Sequence, residues 1–318
     1  MTEAQHENSQ PLRIVSVSLG SSKRNHCVEV EMLGRPLVIE RIGVDGDYDK
    51  ACAMIADLDG KVAAIGLGGT DLYLVAGNKR YVIEQSRRLA QSARVTPVVD
   101  GSGLKNTLER ETIRWLVESG ELELKGKKVL LVSAVDRFGM AEAFAAAGCD
   151  TIYGDLIFAL GLPVPIRSLR SVRVLAALLL PVIRRLPISV LYPTGGSQET
   201  IKPKHAKFFR WAEVVAGDFH YIHRHLPTRL DGKTIITNTT TSEDVAMLRE
   251  RGLDTLITTT PELEGRSFGT NVMEGVLIAL AGKRPEAMQP EDYLGLLRRL
   301  GWQPRVVRLA GSRGEATR

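Results

Sequence analysis

The feature that most constrains the fold of this chain is a regular alternation of strand and helix patterns that begins near Lys125. The first strand pattern, residues 128–133 (KVLLVS), is a nearly continuous apolar run, which is typical of a strand buried on both faces of a sheet. Further strand patterns occupy residues 150–155, 188–192, 213–216, 234–237 and 255–258. Because parallel neighbours need crossover connections, we predict a Rossmann-like, doubly wound parallel sheet.

The residues before this alternation have a mixed pattern. Residues 13–19 alternate apolar and polar side chains as a strand does, and residues 27–42 have the pattern of a hairpin. Residues 47–58 follow with the spacing of an amphipathic helix. The first part of the chain therefore predicts a small mixed α/β unit.

The length of 318 residues suits two domains better than one. We predict an α/β protein with an N-terminal mixed α/β substrate domain at residues 11–120. A Rossmann-like dinucleotide-binding domain is predicted at 121–285, followed by a C-terminal extension at 286–318. The helix pattern at 272–281 is expected to return and brace the first domain.

Composition and charge exclude several classes of protein. The 42 Lys and Arg residues are mixed among 37 Asp and Glu residues without a block of five like charges, so no nucleic-acid partner is predicted. The longest apolar run, 174–183, is interrupted by Pro181 and is shorter than the roughly 20 residues of a membrane span. Three widely spaced cysteines fit neither a disulfide framework nor a zinc site, which predicts a cytoplasmic protein.

The stretch 167–185 has basic ends around an apolar centre. We predict a buried crossover helix here. A helix lying on a membrane surface and a contact between the subunits of a homodimer are the alternatives.

The dinucleotide signal lies after the first apolar strand. A phosphate-binding turn has the pattern G-x-G-x-x-G, whereas this chain has Ser133 through Arg137 and then Gly139 as the one matching glycine. We predict that Ser133, Arg137 and Gly139 contact the pyrophosphate and that Asp155 accepts hydrogen bonds from the ribose, favouring NAD over NADP. The alternatives are that Asp155 is an ordinary strand-end acid and that the sheet binds a nucleotide sugar or S-adenosylmethionine.

Polar residues at later strand ends extend this prediction. Asn238, Thr239 and Thr260 follow the last two strand patterns, where open α/β sheets bind ligands, and they are predicted to contact the cofactor. The alternative is that these residues cap helices or occupy strand positions that favour β-branched side chains.

Three polar segments are candidates for the substrate and for proton transfer. The loop with Ser21, Ser22 and Lys23 has the character of an anion-binding turn, and Asp71 is predicted to close the same cleft. His220 and His223 have an i, i+3 spacing that places them on one helical face, where they are predicted to relay protons. Half-buried structural histidines are the alternative, and no metal is predicted.

Residues 100–104 (DGSGL), placed one helix before the first Rossmann strand, are similar to the N-T-D-G-x-G-F segment of the shikimate/quinate dehydrogenase family. Residues 15–22 and 265–274 resemble a bacterial group of that family commonly labelled quinate 5-dehydrogenase. The family places a substrate domain before a dinucleotide domain and uses a lysine–aspartate pair for proton transfer. The resemblance implies that Asp100 is the acid, and Lys105 is the nearest lysine, although the family's catalytic-lysine segment is absent here.

These observations together predict an NAD(P)-dependent oxidoreductase that transfers a hydride between nicotinamide and a small hydroxylated acid such as quinate or shikimate. The missing lysine segment keeps two alternatives open. One is a non-catalytic ligand-binding protein, and the other is a transferase or lyase that uses the same sheet.

Overall fold

Two separate β-sheets form the frame of the molecule. The computed structural model describes residues 10–76, 79–191, 201, 203–260, 262–263 and 266–309. The strands are β1 (Leu12–Ser18), β2 (His26–Met32), β3 (Arg35–Gly43), β4 (Ala64–Gly68), β5 (Tyr73–Ala76), β6 (Lys79–Val82), β7 (Val98–Val99), β8 (Lys128–Leu131), β9 (Asp150–Tyr153), β10 (Val214–Ala216), β11 (Thr234–Thr237), β12 (Thr255–Thr258), β13 (Glu262–Leu263), β14 (Arg266–Ser267) and β15 (Arg305–Arg308).

The helices connect and cover these sheets. They are α1 (Tyr48–Leu58), α2 (Glu84–Ala90), α3 (Ser102–Glu118), α4 (Phe138–Ala146), α5 (Asp155–Phe158), α6 (Leu169–Ile183), α7 (Ile188–Leu191), α8 (Ala206–Trp211), α9 (Phe219–His225), α10 (Ser242–Glu250), α11 (Thr270–Ala281) and α12 (Pro290–Arg299), with short 3-10 helices at Ser22–Arg24 and Pro285–Ala287. Within the described ranges, no helix combines the length and the apolar character needed to cross a membrane.

The first sheet has the strand order β2-β3-β1-β4-β7. Strand β1 is parallel to both of its neighbours, whereas β2 and β3 form the antiparallel hairpin that the sequence predicts. Successive residues of β1 alternate between two apolar layers. Ile14 packs with α11 and α12 on one face, and Val15 packs with α1 and α2 on the other. The first unit is therefore a three-layer α/β structure.

The second sheet has the order β15-β12-β11-β10-β8-β9, with five parallel strands and an antiparallel edge strand. The predicted α/β class with a Rossmann-like parallel sheet is confirmed. The strand predicted at 188–192 is wrong over Ile188–Leu191, which is helical, and residue 192 lies outside the described residues. A short apolar run does not by itself distinguish a strand from a buried helical turn, and Ile188 packs into the core beside Ile55 and Leu89 of the first unit.

The C-terminal part of the chain crosses between the two sheets. Helix α11 packs through Val272 and Val276 on the apolar face of the first sheet, so the predicted return of this segment is confirmed. Strand β15 then pairs with β12 at the edge of the second sheet. Helix α3 packs against α4 as well as against α11 and α12, so this helix lies between the two sheets.

Candidate functional site

A polar cleft of about 200 Å³ lies between the two sheets. Its walls come from the carboxyl ends of strands in both sheets: Ser18 ends β1, Gly68 ends β4, Asp136 and Asp218 follow β8 and β10, and Asn238 follows β11. Open α/β sheets bind their ligands at this end of the strands. The cleft is therefore the candidate functional site.

The floor of the cleft is a buried cluster of one lysine and two carboxylates. Lys105 is 6% exposed, and its Nζ donates to Asp71 Oδ1 at 2.9 Å and to Asp136 Oδ1 at 2.8 Å. Asp71 follows β4 of the first sheet, and Asp136 follows β8 of the second. Gly101, with φ of 94°, provides the left-handed backbone at the start of α3 from which Lys105 projects. The cluster thus connects the two halves of the molecule.

Burial and mutual charge set the protonation of this cluster. Burial, together with the neighbouring Asp136, raises the pKa of Asp71 to about 7. Burial opposes the charge on Lys105, but Asp136 and Asp71 outweigh it and raise the pKa of the amine above its usual value. Asp136 is also buried, yet Lys105 and Arg137 lower the pKa of its carboxyl. Asp71 is therefore the member of the cluster that exchanges a proton near neutral pH.

Arg137 forms a second buried group beside the first. It is 1% exposed, and its guanidinium donates to Glu109 of α3 and, at 2.8 Å, to Asp218 Oδ2. The carboxylate of Asp218 also caps α9 by accepting the His220 N–H at 2.9 Å, and it accepts Asn238 Nδ2 at 2.9 Å. Arg137 therefore acts as an internal counter-ion for carboxylates, whereas the sequence predicted a phosphate ligand at this position.

Asp100, the predicted catalytic acid, lines the cleft but does not hydrogen-bond Lys105. Its carboxylate accepts the backbone N–H groups of Leu72 at 2.5 Å, Tyr73 at 3.1 Å and Ser102 at 3.0 Å. These bonds fix the turn that leads into α3. The carboxylates that contact Lys105 are instead Asp71, which the sequence placed in the substrate site, and Asp136, which it left without a role.

The two predicted histidines diverge in the structure. His220 lines the cleft, and its Nε2 lies 3.2 Å from Arg24 Nη1. Burial lowers the pKa of His220, although Asp218 opposes this shift. His223 lies outside the cleft lining, with its ring tilted against that of Phe219 and the ring centroids 5.8 Å apart. Only His220 is thus placed to meet a ligand, and the described residues contain no group of three or more side chains suited to a metal ion.

The predicted anion loop lies at the edge of the cleft. Ser22 and Lys23 are exposed, and the backbone of Ser21 accepts Arg41 Nη1 at 3.1 Å. The side chains that reach the lining are Arg24, the next residue of the loop, and Arg41. Arg41 lies near the carboxyl end of β3, which pairs with β1. Its place near the end of a strand pattern is the sequence signal that could have identified it.

Asn271 was also missed by the sequence reasoning. It lies in the first turn of α11, and its Nδ2 donates to Ser16 Oγ at 2.8 Å across the cleft wall. No local pattern distinguishes this asparagine from an ordinary helix-start residue, because its position depends on the return of α11 to the first sheet.

The loop after β8 does not fit the pyrophosphate of a dinucleotide. The amides of Ala134 and Val135 donate to the carboxylate of Asp155 at 3.1 and 2.9 Å. The amide of Gly139 donates to Asn106 Oδ1 at 2.9 Å, and a Cβ at Gly139 would lie 2.5 Å from the carbonyl oxygen of Asn106. The amides of Ala134, Val135 and Gly139 are therefore bonded within the protein and are not available to a pyrophosphate.

Asp155 is thus a ligand for backbone amides, whereas the sequence predicted a ribose ligand. Burial raises the pKa of its carboxyl to about 6. We expect Asp155→Ala to lower the free energy of unfolding by about 1–3 kcal/mol, because the buried amides of Ala134 and Val135 lose their acceptor. Urea denaturation measures this change, and the exposed Asp57→Ala serves as the matched control. A variant as stable as the control would contradict the role.

The space beyond this loop is apolar. A cavity of about 530 Å³ is lined by Ser133 and Asp155 together with leucines of α5 and α6, and it shares Asp136 and Tyr221 with the polar cleft. A dinucleotide would need polar partners here along its phosphates and ribose. The predicted cofactor residue Ser133 therefore borders a predominantly apolar space.

The remaining predicted cofactor residues lie at the end of β11 and after β12. Asn238 and Thr239 line the cleft. Asn238 Oδ1 also accepts the Phe219 N–H at 3.2 Å. Thr260 is buried, and its Oγ1 donates to the Asn238 carbonyl at 2.8 Å. Thr239 thus faces the cleft, and Thr260 supports the loop behind it.

Comparison with known families gives two adjacent matches. Residues 13–100 match a family described as Domain of unknown function (DUF8753), and residues 103–309 match one described as Domain of unknown function (DUF8754). A comparison with curated proteins found no match.

Several solved structures are similar to this chain at low identity. A substrate-binding protein of a sugar ABC transport system from Bordetella parapertussis 12822 is 13% identical, with a TM-score of 0.36 and coverage of 97% of this chain and 92% of the other. A 5-methylthioribose transporter solute binding protein from Thermotoga lettingae TMO is 11% identical, with a TM-score of 0.39 and coverage of 93% and 86%. An NAD-dependent malic enzyme from Thermotoga maritima is 12% identical, with a TM-score of 0.33 and coverage of 91% and 84%. These similarities concern the fold alone.

Proposed function

The chain belongs to the family described as Domain of unknown function (DUF8754), and we propose that it binds a small hydroxylated carboxylic acid in the cleft and exchanges a proton with it through Asp71. The observation that carries this proposal is the buried contact of Lys105 with Asp71 and Asp136 at the cleft floor. A proton-transfer group with a cationic partner, placed at the carboxyl ends of the strands, is the arrangement that acid–base chemistry on a hydroxyl group needs.

The size and lining of the cleft support a small polar ligand. Its volume of about 200 Å³ is below the range of about 300–1,000 Å³ that drug-sized ligands occupy. Arg24 hydrogen-bonds His220 and, among the described residues, is paired with no carboxylate, so its charge is available to an anion. Asn271 and Thr239 add an amide and a hydroxyl that suit a polyhydroxylated molecule. A small hydroxy acid matches these features.

Asp71 is suited to transfer the proton. General acid–base catalysis is most efficient when the pKa of the catalytic group lies near the working pH, and the pKa of Asp71 is about 7. The ionised Asp71 carboxylate would accept the proton of a substrate hydroxyl. The Lys105 ammonium would stabilise the negative charge that remains on the substrate oxygen.

A nicotinamide dinucleotide, which the resemblance to shikimate/quinate dehydrogenases implies, would accept or donate a hydride in this reaction. The loop after β8 does not fit that group, because Asp155 binds the amides of Ala134 and Val135 and Asn106 binds the amide of Gly139 at the start of α4. Ligand binding and proton transfer are therefore the functions that the residues support, and no hydride step is assigned to them.

We expect calorimetric titration of the purified protein to detect binding of quinate or shikimate that weakens as the pH rises through about 7. Above this pH the ionised Asp71 repels the ligand carboxylate, whereas below it Asp71 is neutral. Asp71→Asn is expected to bind without this pH dependence, and the exposed Asp57→Asn is the matched control. Binding that is absent, or insensitive to Arg24→Gln, would contradict the proposal.

Two further arms separate the alternatives. Titration with NAD and NADP tests the dinucleotide directly, and clear binding would require a site other than the loop after β8. Incubation of the acid with the protein, followed by nuclear magnetic resonance, reports whether the acid is converted to a product. A ligand that binds but remains unchanged would indicate a binding protein without catalytic activity.

A further inference from the structure

Exposed apolar side chains are concentrated in one part of the chain, between residues 160 and 186. The α6 patch consists of Leu160, Leu162, Val164, Val174, Leu178, Val182 and Leu186, which are between 37% and 69% exposed. Elsewhere in the described part of the chain, the large apolar side chains that are this exposed are Val95 and Val117, which lie far from the patch in sequence. Exposed apolar side chains that cluster in this way mark an interaction surface more often than scattered single residues do.

The helix at the centre of the patch is apolar on two faces. Val172, Ala176 and Leu180 are buried against the protein. Val174, Leu178 and Val182 recur at every fourth position and form an outward stripe. A crossover helix of a doubly wound sheet normally exposes a polar outer face. The outer stripe of α6 is therefore not explained by packing against the part of the chain that the structure describes.

The charge around the patch has one sign. From Leu156 to Leu191 the sequence contains five arginines and neither Asp nor Glu. Arg167, Arg173 and Arg184 pair with carboxylates of neighbouring elements. Arg170 and Arg185 are exposed at the two ends of α6, and among the described residues no carboxylate pairs with them. The apolar stripe is thus flanked at both ends by a free positive charge.

We propose that the α6 patch docks on an anionic lipid surface. Apolar side chains of such a helix enter the boundary between headgroups and acyl chains, and flanking arginines contact the lipid phosphates. A second copy of the chain is the less favourable occupant. In a two-fold dimer the two α6 helices would run antiparallel, so Arg170 of one copy would lie beside Arg185 of the other and the like charges would repel.

The test is flotation of the purified full chain with vesicles of phosphatidylcholine alone or of phosphatidylcholine mixed with phosphatidylglycerol. We expect the bound fraction to be about tenfold higher with the anionic vesicles and to fall when salt is added. The double variant Val174→Glu with Leu178→Glu is expected to lose binding, and Arg170→Gln with Arg185→Gln to weaken it about tenfold. Val117→Glu, which replaces an exposed valine outside the patch, is the matched control and should bind as the wild type does.

Circular dichroism first establishes that each variant is folded. Light scattering then measures the oligomeric state, and ligand titration measures binding in the cleft. No binding to anionic vesicles, or equal loss in Val117→Glu, would overturn the proposal. A dimer that Val174→Glu with Leu178→Glu disperses, without vesicle binding by the wild type, would assign the patch to a second copy instead. Ligand binding in the cleft should be unchanged in the patch variants, so failure here is distinct from failure of the proposed function.

Discussion

Replacing Arg137 with methionine is expected to lower the free energy of unfolding by about 3–5 kcal/mol. The substitution leaves Glu109 and Asp218 without the cation that both contact, and Glu109 is fully buried. A buried carboxylate without a partner is costly, because it has lost its hydration and gained nothing in return. Urea denaturation at neutral pH measures the loss, which is a large part of the stability of a typical domain.

A matched control and a double variant make this result specific. Arg114 pairs with Glu111 but is 53% exposed, so Arg114→Met should cost at most about 1 kcal/mol. Arg137→Met combined with Glu109→Gln should recover part of the stability, because the neutral amide no longer needs a counter-ion. If Arg137→Met were as mild as Arg114→Met, the buried arrangement of Arg137 would be wrong.

The second large effect is expected for Lys105→Met. The variant leaves Asp71 and Asp136 facing each other without the ammonium, so both carboxyl pKa values should rise. The pKa of Asp71 already lies near 7, above its ordinary value of about 3.9. A carboxyl with a raised folded-state pKa contributes stability at low pH that is lost as the pH rises through that pKa.

The loss of stability in Lys105→Met should therefore be smaller near pH 5 than near pH 8, where it should reach about 3 kcal/mol, as measured by urea denaturation at both values. Lys61→Met removes a lysine that is 62% exposed and should change stability little at either pH. Adding Asp71→Asn to Lys105→Met should reduce the pH dependence. A loss that is equal at both pH values would mean that the Lys105 cluster does not titrate as described.

Lys105 also tests the proposed chemistry. With the ammonium removed, the midpoint at which hydroxy-acid binding weakens should move to a pH above about 7, because Asp71 would keep its proton longer. A purely structural lysine would reduce stability without moving this midpoint. Titration of the variant across the same pH range as the wild type therefore separates the two roles.

The local sequence determined the layers of the fold. The apolar strand β8, the crossover pattern and the polar ends of the strands are short-range features, and each predicts the same parallel sheet. It also placed Lys105, Asp71 and His220 among the candidate residues, because these polar groups follow strand ends or glycine-rich turns. Ile188–Leu191 was assigned wrongly because a segment of four residues, three of them apolar, carries no period that separates a helix from a strand.

Only the tertiary structure decided which of these groups meet. Lys105 pairs with carboxylates that are 34 and 31 positions away in the sequence, and Asp100, only a few positions away, bonds backbone amides instead. Asp155 likewise occupies the amides that a dinucleotide would need. The physical reason is that a buried charge must find a partner, and the chain's path between its two sheets determines which partner is within reach.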